Sequence, residues 1–325
     1  MKKAIISVAA LLALTACGVK DAEQDKNPVR DFPPSGEVTL TASWGGADPA
    51  TRTVRRSDGK VWWSANEAIT VFACKEGSVE FTSVNTAPSA TASFVGTIPV
   101  DDYNEKAGGK GKNKGFVLFP ELVAVYPTSD SYYPFMNDVN YDGDTPVSYE
   151  IAHDLPGTQT AVAGTFDNNL FVSVAASSTT NLTFHHVTGG LKFSVSGSDI
   201  YRVELTSNDS YAYITGLGHV LIDPAGTVLG ITKWDYSSFN YATLQTSSGN
   251  LVPGQYYYFV TWPALLNGGF TLKFYTASGT KERVITQNLE FKSGRFLVLN
   301  DADADLNNTG GVSGGLDDIT YDPIN

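Results

Sequence analysis

Cysteine is nearly absent from this chain: there are two in 325 residues, Cys17 and Cys74. With Cys17 placed where an N-terminal modification would take it, no internal disulfide can form, and stability must come from packed cores. Basic charge is also short. Twenty-two Lys and Arg face 34 Asp and Glu, a formal charge of −12, which excludes nucleic-acid or anionic-membrane binding through bulk electrostatics. No long stretch carries helical spacing, and no nucleophile stands at a recognisable spacing from a base, so catalysis has no support and the chain is read as a non-enzyme. "GGKGKNKG" lacks the strand-loop-helix context and the GK[ST] ending of a phosphate loop, so no cofactor is expected.

One apolar run is present, and it reads as an address. Lys2 and Lys3 precede uninterrupted apolar or small residues from 4 to 16, a secretory layout too short to cross a bilayer as a stable helix. Leu14-Thr15-Ala16-Cys17 resembles the bacterial lipobox, which implies cleavage before Cys17 and its conversion to an N-acylated diacylglyceryl thioether carrying palmitate-type chains. Each buried acyl CH₂ contributes about 0.8 kcal/mol, so several chains anchor essentially permanently where one does not. Residues 1–16 are therefore a signal peptide and 17–35, with three prolines and many polar residues, a lipidated tether. Loss of two lysines with the leader moves the formal charge from −12 to −14.

The remaining residues, about 300, suffice for two domains that each bury roughly 70% of their unfolded surface. Their periodicity is that of strands. "LKFSVSG" places Leu191, Phe193 and Val195 on one face, "YRVELTS" places Tyr201, Val203 and Leu205, and "FTLKFYT" places Phe270, Leu272 and Phe274. "QYYYFVTW", "RFLVLN", "EVTLTASW", "AITVFAC", "FVLFP" and "NLFVSVA" are further short runs separated by Gly, Asn, Asp, Pro and Ser. Together they predict an all-β chain of tandem antiparallel β-sandwiches, with 107–115 an exposed loop in the first.

Other constellations weigh against a metal. Asp138, Asn140, Asp142 and Gly143 stand at the offsets of a calcium loop, but position twelve is Tyr149, Glu150 comes one residue late, and no helices flank them, so an Asx-rich turn is expected. "DADAD" at 301–305 has similar spacing without the glycine. His185 and His186 alternate to opposite strand faces and are read as structural. Of Trp62 and Trp63, one should pack inward and the other be exposed, where sugar stacking is a secondary reading.

"TRT…DGKVWWSANEAITVF" at 51–72, "VAVYP" at 123–127, "LPGTQ" at 155–159, "LTFHHVTGGLKFSV" at 182–195 and "LVPGQYYYFVTWP" at 251–263 together resemble the fimbrillin family, the lipoprotein pilins of type V pili. The likeness follows family order over nearly the whole mature chain. It implies two transthyretin-like β-sandwich domains, here 36–186 and 187–303, before a flexible C-terminal tail at 304–325. It also implies an outer-membrane, surface-exposed lipoprotein whose first strand is removed by an arginine- or lysine-specific protease, opening a groove that another subunit's strand fills.

In this sequence the first strand would be residues 36–44, an edge strand with Val38, Leu40, Ala42 and Trp44 inward. Arg52, Arg55 and Arg56 in the following Gly- and Pro-bearing loop are the cleavage candidates. Stalk members donate a C-terminal strand, but only "ITYDPI" alternates here, with Ile319 and Tyr321 on one face and Pro323 lacking a ladder donor. The expected role is a tip or accessory fimbrial subunit contributing to adhesion. Its expected partners are other pilus subunits, an arginine-specific surface protease, the outer membrane through lipid, and a host protein or glycan. A glycan-binding lipoprotein that does not polymerise is the alternative.

Overall fold

Alternation of apolar and polar residues sends successive side chains to opposite faces of an extended chain, and burial of one face selects sheets. In the computed structural model the described residues are 36–44, 54–55, 61–74, 77–98, 118–128, 134–143, 145–304, 306, 312–313 and 320–323. Among them the only helix is a three-residue turn, Asn168–Leu170. The strands of the first half are β1 (Gly36–Trp44), β2 (Val54–Arg55), β3 (Val61–Trp62), β4 (Ala68–Cys74), β5 (Gly77–Ser83), β6 (Ala92–Ile98), β7 (Leu118–Tyr126), β8 (Phe135–Asp142), β9 (Thr145–Leu155), β10 (Thr158–Thr160), β11 (Ser173–Ser177) and β12 (Asn181–His186). Those of the second are β13 (Gly189–Ser194), β14 (Ile200–Ser207), β15 (Thr215–Ile222), β16 (Val228–Phe239), β17 (Tyr241–Gln245), β18 (Tyr256–Thr261), β19 (Ala264–Leu266), β20 (Phe270–Thr276), β21 (Gly279–Ile285), β22 (Leu289–Phe291), β23 (Arg295–Leu299), β24 (Val312–Ser313) and β25 (Thr320–Pro323).

The all-β expectation holds throughout these residues, and the first unit is closed. Its seven strands run β1-β12-β11-β7-β4-β5-β6 and return to β1, so the sandwich faces are two sides of one continuous barrel. Val38, Leu40, Ile69, Val71, Phe81, Phe94, Leu122 and Phe184 fill its interior. In the second unit a six-stranded sheet, β10-β17-β14-β20-β21-β24, faces a four-stranded one, β18-β13-β23-β25. Leu191, Phe193 and Phe259 from one sheet meet Val203, Leu205, Leu272 and Phe274 from the other.

A third sheet, β16-β15-β9-β8, crosses the expected division at 186/187. β9 pairs antiparallel with β15 from Tyr149 opposite Ile222 to Leu155 opposite Gly216, and β10 pairs parallel with β17. The two halves of the sequence thus share sheets. Beneath the third sheet lies a further core in which Tyr149, Ile151 and Val220 pack with Phe72, Val123, Val125 and Val174 of the barrel's outer face and with Tyr258, Val260 and Trp262. β7 is therefore buried on both faces, which is why "LVAVY" reads as an unbroken apolar run.

Three local expectations are corrected. Tyr201 is 43% exposed because a bulge between Ile200 and Arg202 shifts the pleat and turns Ile200 inward in its place. Asn169 and Leu170 form part of the short helical turn, whose Asp167 carboxylate accepts the Asn169 N–H at 3.1 Å. The tail, expected to be flexible from 304, contributes β24 beside β21 and β25 beside β23. Pro323 is the last residue of β25, the outer strand of its sheet, a place where a residue without an N–H is tolerated.

Candidate functional site: the strand that closes the barrel

β1 is not an edge strand. On one side it pairs antiparallel with β6, from Gly36 opposite Ile98 to Ala42 opposite Ala92; on the other it pairs parallel with β12, from Thr41 opposite Asn181 to Trp44 opposite Phe184. Its polar residues Glu37, Thr39 and Thr41 are exposed while Val38, Leu40 and Ala42 are buried, so the alternation in "GEVTLTASW" sets the register. Only Thr41 and Ala42 are paired on both sides. The slot that β1 occupies is thus bounded by β6 along its first part and by β12 along its last.

Aromatic rings gather at the β12 end. Trp44 stacks on Trp63 with centroids 4.3 Å apart and on His186 at 4.9 Å, and meets Tyr126 edge-on. Trp63, fully buried, also contacts Phe94 and Phe184 and is the inward member of the pair, while Trp62 is half-buried rather than exposed. His186 Nδ1 lies 2.6 Å from Ser173 Oγ, and its ring packs on Phe171. Among the described residues, His186 Nε2 and the indole N–H groups of Trp44 and Trp63 are buried and find no hydrogen-bond partner. Burial, and secondarily neighbouring His185, hold the His186 pKa well below 6.5, so the stack is neutral at pH 7. Burial likewise raises the Tyr126 phenol well above 10, with Glu67 and Asp167 adding to the shift.

Of the sequence candidates, Arg55 lies in β2, opposite Val61 in the two-residue ladder with β3, just after the segment that follows β1. Its backbone is therefore briefly paired, not wholly in loop. Cys17, Arg52 and Arg56 lie outside the described residues. Asp138, Asn140 and Asp142 sit on β8, an extended strand rather than a loop folded around an ion; Asn140 donates to Ser148 Oγ at 2.9 Å across the hairpin. Asp303 of "DADAD" ties the chain end to the second unit, accepting from Ser196 N at 2.6 Å, Ser196 Oγ at 3.1 Å and Gly197 N at 2.7 Å. Among the described residues no group of three or more His, Cys, Asp and Glu is placed to hold a metal.

Two features escaped the sequence. His219 on β15 has Nδ1 2.7 Å from Glu150 Oε1, which also accepts from Asn137 at 2.6 Å; partners 69 residues apart carry no local signal. His153 on β9 is buried, and neither ring nitrogen makes a well-formed hydrogen bond to a described residue. Burial lowers its pKa from 6.5 to about 4, against smaller raising influences from the backbone at Pro127 and Asp154. The unfolded chain takes up this proton near pH 6.5 and the folded chain only near 4. The stability of the neutral ring is thus full above the unfolded value and is lost as pH falls through the folded one, a loss of about 3 kcal/mol. Urea midpoints should fall between pH 7 and 4, and His153→Leu should flatten that slope; equal slopes would contradict the assignment.

No family model matches the chain, and no curated protein matches it. Among solved structures, a candidate cell adhesion protein of Bacteroides uniformis shares 16% identity over 89% of this chain and 100% of that one, with a TM-score of 0.44. A candidate cell adhesion protein of Bacteroides ovatus shares 13% over 90% and 96%, with a TM-score of 0.39. The tip fimbrial protein Mfa3 of Porphyromonas gingivalis, in a C-terminally truncated form, shares 9% over 89% and 99%, with a TM-score of 0.33.

Proposed function

We propose that this chain is a surface-exposed, fimbrillin-like adhesion subunit that accepts another subunit's strand in the slot of β1. The observation that carries the reading is β1 itself. It closes the barrel, plugs its core with alternate side chains, and is followed by the arginine-bearing segment, so one cut would separate it from the body. Loss of β1 leaves the ladders of β6 and β12 unpaired and uncovers pockets for aliphatic side chains, each worth about 1.5–3 kcal/mol when filled. Main-chain pairing along the whole segment gives an incoming strand its affinity, and the pockets give it its register.

The donor side is weaker. β25 is short, contains Pro323, and is already paired with β23, which supports a tip or accessory role over a stalk role. In this reading the precursor is held at the outer membrane by lipid on Cys17, a surface protease cuts at Arg52, Arg55 or Arg56, and the subunit performs no catalysis.

N-terminal sequencing and intact mass of protein from the cell surface test it. The expected species are a chain blocked at acylated Cys17 and a shed chain beginning after one of the three arginines. A mature protein that retains residues 36–44 covalently and carries no lipid would contradict both steps.

A further inference from the structure

The four inward positions of β1 meet different surroundings. Leu40 lies opposite Phe94 and is fully buried; Ala42 lies opposite Ala92, both buried, so a larger side chain there would have to displace packed neighbours. Trp44 lies against the flat faces of Trp63 and His186, with Tyr126 and Phe184 around its edge. An aliphatic residue at that place would leave two rings without their stacking partner.

We propose that the slot of β1 selects a strand carrying apolar, apolar, small and aromatic residues at alternate positions, a pattern that the C-terminal tail of a second copy of this chain cannot supply, so that the donor is another subunit's strand. The inference rests on the strand-exchange reading and adds the chemistry of the partner. The aromatic ring is the discriminating element, and it must sit at whichever end of the strand reaches Trp63 and His186.

The chain's own tail fails this requirement in both directions. With Tyr321 in the place of Trp44, a strand running as β1 does puts Ile319 at Ala42 and Asp317 at Leu40; the reverse direction puts Pro323 at Ala42 and Asn325 at Leu40. Either buries a carboxylate or an amide where Leu40 is fully enclosed, with no polar partner supplied by a pocket of aromatic and aliphatic groups. In addition, residues 320–323 are engaged with β23 of their own sheet.

The test uses the full-length protein cut with an arginine-specific protease and three fluorescent peptides: EVTLTASW, the same peptide with Leu for Trp, and DDITYDPIN. The first should seat, the second should bind at least ten-fold more weakly, and the third should not compete. Equal binding of the first two, or seating of the tail peptide, would overturn the proposal while leaving strand exchange intact. Failure of all three to seat would remove strand exchange and the proposal with it. In the uncut chain, Trp44→Phe should keep the β1 amides protected from hydrogen exchange, whereas Trp44→Leu should speed their exchange roughly ten-fold, the scale of a lost aromatic stack. Equal behaviour of the two variants would also overturn it.

Discussion

Leu40→Asp should detach β1 and open the barrel while leaving the second unit folded. Leu40 is fully buried opposite Phe94 of β6, and the substitution both removes an aliphatic plug and places a carboxylate among the apolar side chains of the barrel interior. The combined loss is expected to exceed about 4 kcal/mol, more than a surface change could produce. Thr39→Asp, one position away and exposed, is the matched control and should change stability by less than about 0.5 kcal/mol. Hydrogen exchange reads the difference: amides of β1, β6 and β12 should lose protection in the Leu40 variant, whereas β13, β18 and β20, which enclose the separate core around Phe193, Phe259 and Phe274, should keep theirs. Retained protection in β1 would mean that the strand is not held by its core side chains.

Gly190→Ala should be as damaging for a different reason. The chain passes from β12 to β13 through "TGG", and Gly190 has φ of +145°, a conformation that side-chain-bearing residues rarely adopt. A Cβ there would lie 1.9 Å from the carbonyl oxygen of Phe259 on the adjacent β18, and one at Gly189 would lie 2.0 Å from the carbonyl oxygen of Lys292. For Gly190→Ala the backbone of β18 must move, so a loss of roughly 3–5 kcal/mol and broken β13–β18 pairing are expected. Gly230→Ala, where a Cβ would meet nothing within 4 Å, should cost about 1 kcal/mol at most. Denaturation midpoints of the two variants separate these outcomes, and a Gly190→Ala protein as stable as the parent would contradict the packing described.

These glycines show what a single sequence makes legible. The motif "TGG" marks a junction, but which carbonyls exclude a side chain depends on β18 and on the turn before β23, far along the chain. The strands themselves were readable: Leu191, Phe193, Phe270, Leu272 and Phe274 alternate in sequence and are buried together. Tyr201 was misread because one bulged residue inverts the pleat, and nothing local announces the bulge. Barrel closure was hidden for the same reason as the Glu150–His219 contact. Ser43 reaches the carbonyl of Leu182 across 139 residues, and β9 finds β15 across more than 60, so pairings of this kind are settled by packing rather than by pattern. Of the site, the inward set Val38, Leu40, Ala42 and Trp44 was legible, whereas the rings that receive Trp44 come from three other segments.

The most direct measurement follows residues 36–44 after the native chain is cut at the arginine-bearing segment. Intact mass spectrometry under native conditions, with an excess of isotopically labelled strand peptide, should show the unlabelled strand leaving and the labelled one taking its place while the rest of the barrel remains folded. Arginine bonds that resist cutting until the protein is denatured, or a cut chain that keeps its own β1 indefinitely against the labelled competitor, would contradict the claim that this barrel is built to exchange its closing strand.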